Sequence, residues 1–121
     1  MTSDTNQYIM IVDDEDNMVS MLEDVISLAG YKCRGFTHPK KALDAFKIEP
    51  EVYKVVITDL TMPYLKGDDF ALALSAINPN CMIIVSTGFQ AEHLKDKLKN
   101  YIVLQKPYKI DILLSLIKKK F

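Results

Sequence analysis

The sequence predicts an α/β domain in which five strand-helix units fold into one open parallel sheet with helices on its faces. Five short hydrophobic runs of strand length, residues 8–12, 31–36, 53–58, 82–86 and 101–105, alternate with segments of helical period. Helices of that length make good right-handed crossovers between parallel strands. Four of the five runs end in groups suited to phosphate or metal chemistry: Asp13-Asp14, Asp59, Thr87 and Lys106-Pro107. In open parallel sheets ligands bind outside the carboxyl ends of the strands, where strand order reverses. Four strands therefore aim their chemistry at one edge.

Each element has its own justification. Tyr8-Ile9-Met10-Ile11-Val12 makes the first strand. Over residues 17–29, Val19, Leu22, Ile26 and Ala29 share one stripe, and Gly30 is a natural helix stop. The second run, residues 31–36, ends without a chemical group. Thr37 is placed to cap a second helix that has Pro39 in its first turn and Ala42, Leu43 and Phe46 on its inner side. The third run leads from Tyr53 into Asp59. A third helix over residues 67–77 stops at Asn78-Pro79, a pair that disfavours further helix. The fourth run leads from Met82 into Thr87, and residues 90–100 supply a fourth helix. Residues 110–121 form the last, with Lys118, Lys119 and Lys120 at its negative end. A polar tail, residues 1–7, precedes one domain over residues 8–121, with no repeat, linker or low-complexity segment.

Composition bounds the function. At 121 residues the chain is one domain, large enough to bury roughly two-thirds of the surface its unfolded form exposes. With 15 basic against 16 acidic residues there is no global field to draw in nucleic acid or an anionic membrane, so a partner must be recognised locally. No N-terminal apolar stretch carries a basic flank, and no run approaches the ~18 apolar residues of a membrane span. A soluble protein of a reducing compartment, the cytoplasm, is the expectation. Cys33 and Cys81 fall on the second and fourth runs and read as small buried hydrophobes. His38 and His93 have no partner at metal-ligand spacing and read as surface or packing residues.

The chemistry follows from residue types. Asp13, Asp14 and Asp59 gathered at one sheet edge repel one another unless something positive sits among them. Mg²⁺ answers that need, because it takes carboxylate oxygens, keeps several waters and leaves room for a phosphoryl oxygen. Lys106 adds a second positive charge that pairs with a carboxylate at rest and with a phosphoryl oxygen afterwards. Thr87 brings a hydroxyl donor, and the turn Thr87-Gly88 leaves backbone N–H groups to face an anion. Together these parts describe phosphoryl transfer to a carboxylate, with Asp59 the best nucleophile candidate.

Each motif alone has a plainer reading. Asp-Asp-Glu-Asp before a helix often serves only capping and the helix dipole; Asp-Leu-Thr-Met-Pro and Thr-Gly are often turns; Lys-Pro is often a strand end. The three terminal lysines fit an ordinary helix end. Conjunction lifts the functional reading, because four independent strand ends must each bear the right group.

At these residues the chain resembles the receiver domains of two-component response regulators, over residues 7–121. Ile11-Val12-Asp13-Asp14 is similar to the family's first-strand motif and Thr58-Asp59-Leu60-Thr61-Met62-Pro63 to its phosphoacceptor loop. Ser86-Thr87-Gly88 resembles its switch hydroxyl and Gln105-Lys106-Pro107 its lysine. The resemblance implies a flavodoxin-like sheet ordered 2-1-3-4-5, with Asp14 near Asp59 and the two cysteine-bearing strands apart. It implies that Asp59 accepts a phosphoryl group from phosphohistidine on a histidine kinase or histidine phosphotransfer protein. It further implies that Asp14, Asp59 and the Thr61 carbonyl hold Mg²⁺ (or Mn²⁺), with Asp13 assisting through water. Thr87 and Lys106 would bind phosphoryl oxygens, and the Lys106-Pro107 bond would be cis. The chain would be no enzyme beyond Mg²⁺-dependent self-phosphorylation and autodephosphorylation, and a monomer or a weak phosphorylation-dependent dimer.

Some positions depart from the pattern or extend it. Val103 stands three before the lysine, where receivers often carry the aromatic residue that swings inward on activation. The wording Ser-Thr-Gly-Phe and Thr-Asp-Leu-Thr-Met-Pro is most similar to hybrid-kinase receivers. Thr61 and Phe89, two residues beyond the phosphoacceptor and the switch hydroxyl, frame the path of attacking water in receivers. Neither orients water well, so loss of phosphate is expected to be slow. On the first helix Met18, Met21, Val25 and Leu28 form a second apolar stripe. Met18 and Met21 are candidate partner contacts, the alternative being a wide buried face.

Three function classes fit the chain: a phosphoryl-accepting switch, a degenerate receiver serving only as an interaction module, and a metal-dependent phosphatase with an aspartyl nucleophile. The last wants a carboxylate two residues after the nucleophile, where Thr61 stands. The second is expected to lose a member of the acidic set or Lys106, and none is missing.

Overall fold

The computed structural model describes residues 7–60, 67–88 and 101–121. Their order is β1 (Tyr8–Val12), α1 (Asp16–Leu28), β2 (Lys32–Phe36), α2 (Pro39–Ile48), a 3-10 turn (Pro50–Val52), β3 (Tyr53–Asp59), α3 (Gly67–Ile77), β4 (Met82–Thr87), β5 (Ile102–Gln105) and a C-terminal helix, α4 (Ile110–Lys120). The helix expected over residues 90–100 lies outside the described residues.

All strand pairs are parallel, in the order β2-β1-β3-β4-β5. Side chains alternate between the sheet's faces, and both faces are covered, so β1, β3 and β4 read as continuous apolar runs rather than as alternating ones. Ile9, Ile11, Val55, Ile57 and Ile84 pack against Val19, Leu22 and Ile26 of α1 and Leu113 and Ile117 of α4. Met10, Val12, Val56, Ile83 and Val85 pack on the other face against Ala42 and Phe46 of α2 and Phe70, Ala71 and Leu74 of α3. Each Val, Leu, Ile, Met or Phe among them taken fully from water contributes about 1.5–3 kcal/mol. The edge strands β2 and β5 are only partly covered.

The helix ends refine the sequence reading. Helix α1 starts at Asp16 and stops at Leu28, so Ala29 is an exposed C-cap instead of a stripe residue, and Gly30 follows at φ 99°. No side chain caps α1; Glu15 sits at its N-cap without a capping bond. In α2 the cap is His38 rather than Thr37: Pro39 has no N–H to satisfy, and the next donor, the Lys40 N–H, reaches His38 Nδ1 at 3.2 Å. Cys81 lies just before β4 instead of on it. Both cysteines are free, as expected with β1 and β3 between β2 and β4, but they are half-buried rather than buried, because β2 is an edge strand and Cys81 precedes β4.

Gly35 lets α1 approach β2. A Cβ there would stand 2.4 Å from Val19 Cγ1 and 2.8 Å from Glu23 Oε2.

Candidate functional site

Register assembles the site. Val12 lies opposite Thr58, Asp59 opposite Ser86 and Thr87 opposite Gln105, so the carboxyl ends of four strands finish level. Backbone bonds continue one step past the ladder. The Asp13 N–H donates to the Phe36 carbonyl (3.1 Å), Leu60 to Ser86 (2.8 Å) and Lys106 to Thr87 (2.7 Å). The Ser86 hydroxyl also donates to the Thr58 carbonyl at 3.4 Å. The strand that bears Thr87 is thus tied to those that bear Asp59 and Lys106.

Asp13, Asp14 and Asp59 each bring one carboxylate oxygen within 4.8 Å of the others. Asp13 and Asp59 are buried, at 3% and 8% exposure, while Asp14 faces solvent. Two unit charges at that separation repel by about 3 kcal/mol at an effective dielectric of ~20. Lys106 offsets part of this: its Nζ lies 3.3 Å from Asp13 Oδ2 and 3.7 Å from Asp59 Oδ2. Burial opposes the ammonium, but Asp13 and Asp59 outweigh it, and the Lys106 pKa is raised. Asp13 Oδ1 accepts the Glu15 N–H at 2.9 Å. Both Asp13 oxygens are therefore engaged within the protein. Of the stretch Asp-Asp-Glu-Asp, Asp13 and Asp14 thus join the cluster, while Glu15 holds the α1 N-cap position and Asp16 lies in the first turn.

Three carboxylates against one ammonium leave an excess of negative charge presented by hard oxygen donors. That donor set fits Mg²⁺ or Mn²⁺. Thr87 is buried at the end of β4 and Gly88 beside it is exposed. The Lys106-Pro107 peptide bond is cis.

Other expected positions fall around this centre. Thr61 and Phe89 lie outside the described residues. Val103 is 40% exposed, on the side of β5 away from Ile102 and Leu104, which pack toward α4. Met18 and Met21 line a groove of about 400 Å³ with Lys106, Pro107, Tyr108 and Ile110. The groove runs from the acidic cluster onto α1, where Met18 is half-buried and Met21 and Leu28 are exposed. The plain alternative of a wholly buried second stripe is not what α1 adopts.

Tyr108 was not legible as a site residue. It joins groove to site: burial pushes its phenol pKa up, Lys106 pulls the other way, and Asp13 and Asp59 add to the rise. Its only signal in the sequence is its place two residues after Lys106.

Comparison with known proteins agrees with this geometry. The response regulator receiver domain family model matches residues 9–118. The chemotaxis protein CheY of Thermotoga maritima is 37% identical over 107 residues, 83% of this chain and 85% of that protein. The response regulator receiver protein CpdR of Brucella abortus is 29% identical over 114 residues, 92% and 93% of the two chains. In fold, a receiver domain protein from Clostridium thermocellum superposes with a TM-score of 0.87 at 23% identity, covering 94% of this chain and 93% of that one.

Proposed function

The chain belongs to the response regulator receiver family of two-component signalling, and we propose that it accepts a phosphoryl group from phosphohistidine onto Asp59. The observation that carries this reading is the closure of Asp13, Asp14 and Asp59 within 4.8 Å with Lys106 against two of them. Residues from the ends of β1, β3 and β5 meet there, and a plain capping role for Asp13 and Asp14 explains none of it.

In this reading an Asp59 oxygen attacks phosphorus. The new O–P bond forms as the P–N bond to the donor imidazole breaks, and the imidazole leaves with that electron pair and takes up a proton. Lys106 turns from Asp59 to a phosphoryl oxygen, and the Thr87 hydroxyl donates to another. Asp14, Asp59 and the Thr61 carbonyl would hold Mg²⁺ or Mn²⁺, with Asp13 acting through water. When bound, the ion would offset part of the negative charge of the carboxylates and of the incoming phosphoryl group. Hydrolysis returns Asp59 to its carboxylate, slowly, because Thr61 is short and Phe89 has no polar group, so neither orients water well. Enzymatic activity is confined to these self-reactions.

The groove of Met18, Met21 and Tyr108 supports docking of a histidine kinase or histidine phosphotransfer protein beside Asp59. Flexible Met side chains suit a surface that packs on a partner helix. The switch region is Thr87 with Val103, and no aromatic side chain stands at the second position to swing inward. The balanced charge supports a cytoplasmic domain that binds neither nucleic acid nor membrane. Among the described residues no helix is long and apolar enough to cross a bilayer. The working state is a monomer or a weak phosphorylation-dependent dimer. A receiver used only for binding would be expected to lack Asp59, Lys106 or part of the acidic pair, and all are present.

The test is intact mass after incubation with a divalent cation and a small phosphodonor. Addition of one phosphoryl group to the wild type, absent in Asp59→Asn, supports the proposal. Equal modification of the variant sinks it.

A further inference from the structure

The end of the sheet opposite Asp59 carries a second concavity that the phosphoacceptor chemistry does not use. It has a volume of about 640 Å³ and lies between α3, the starts of β4 and β5, and the end of α4. That size is in the range of small-ligand pockets, roughly 300–1,000 Å³. Leu72, half-exposed on α3, Pro79 and Ile102 give it apolar walls.

Its polar groups converge from separate elements. The Ser75 hydroxyl donates to the Tyr101 hydroxyl at 3.4 Å, joining α3 to the residue before β5. Lys120 Nζ donates to the Asn80 carbonyl, so its side chain bridges from α4 to the loop before β4. A carbonyl orients the ammonium without neutralising it, and Lys120 makes no ion pair among the described residues. The charges that act on Cys81, which also lines the cavity, are Lys120 and Lys54, both cationic. Among the described residues the cavity therefore joins apolar walls and a hydroxyl pair to a positive charge that has no ion-pair partner.

We propose that this cavity binds a small amphiphilic acid, with its carboxylate on Lys120 and its apolar body against Leu72, Pro79 and Ile102. A charge-assisted bond to a preplaced ammonium supplies orientation, and the apolar walls supply area. The same strands that wall the cavity, β4 and β5, end in Thr87 and just before Lys106. The ligand thus sits at the far end of the elements that hold the phosphoryl-binding groups, and it is distinct from any partner on α1.

The experiment is an NMR amide titration of the full chain with 4-phenylbutyrate and, separately, with uncharged 4-phenylbutanamide. The acid is expected to give saturable shifts at Cys81, Met82, Ile102 and Lys120. Lys120→Gln is expected to weaken the acid by about tenfold, the size of a hydrogen bond to a charged group, and to leave the amide unchanged. Leu72→Ala, at a half-exposed position that the fold tolerates, is expected to weaken both probes. Shifts confined to α1 and the Met18 groove, an acid no tighter than the amide, or equal acid affinity in wild type and Lys120→Gln would each overturn the proposal.

Discussion

The Lys106 ammonium lies 3.3 Å from the Asp13 carboxylate, and the carboxylate is the more buried partner of the pair. Lys106 is therefore the resting counter-charge of the acidic cluster. In Lys106→Met the carboxylates lose that charge, and without metal the fold is expected to lose about 1–3 kcal/mol. The same change raises cation affinity, so millimolar Mg²⁺ stabilises the variant more than it does the wild type. Urea unfolding with chelator and with Mg²⁺ reads both effects. A metal response equal to that of the wild type would contradict the role given to Lys106.

Gly35 should tolerate no side chain. Its Cβ would meet Val19 Cγ1 at 2.4 Å, and Val is stiff about χ1, whereas Glu23 can move aside. Gly35→Ala is expected to cost about 1–3 kcal/mol by overpacking. Adding Val19→Ala should recover part of the loss. Urea midpoints of the single and double variants decide, and a single variant as stable as the wild type would refute the close approach.

Met21 is 39% exposed on the rim of the groove beside Lys106. Met21→Asp should slow transfer from the cognate histidine donor by at least about tenfold, roughly 1.4 kcal/mol in the barrier. Modification by a small phosphodonor should be unchanged, because that reaction needs no docking surface. Loss of both rates would point to damage at the site, and loss of neither would remove Met21 from the interface.

Burial pushes the Cys81 thiol up to about 12, against the pull of Lys120 and Lys54. A cysteine of the unfolded chain ionises near ~8.5. Between those values the unfolded chain releases a proton that the folded chain keeps, so this residue's contribution to stability falls as pH rises through the window and is flat below it. At pH near 8.5 native Cys81 should alkylate more than about tenfold slower than in urea. Peptide mapping after timed alkylation measures this, and equal rates would show the thiol to be neither buried nor suppressed.

Much of this was legible in the chain. The runs that became β1, β3 and β4 stand out because strands covered on both faces are apolar at every position. Parallel pairing then brings their ends level, so Asp13, Asp14, Asp59 and Lys106 converge without further instruction. Less legible were features set by single contacts. His38 caps α2 because Pro39 shifts the first open N–H to Lys40, and histidine is not a residue that advertises a cap. Ala29 fits the α1 stripe by period, yet the helix stops one residue before it. The position of Tyr108 depends on how the chain turns after Lys106, which hydrophobic periodicity does not report.

In the proposed reaction Asp59 is the phosphoacceptor, and the acidic cluster makes it so with a divalent cation. Intact mass after incubation with a small phosphodonor tests it most directly, in wild type, Asp59→Asn and wild type with chelator. A single added phosphoryl group is expected in the wild type with Mg²⁺, and none in the other two samples. Modification that persists in Asp59→Asn, or that is undiminished by chelator, would contradict it.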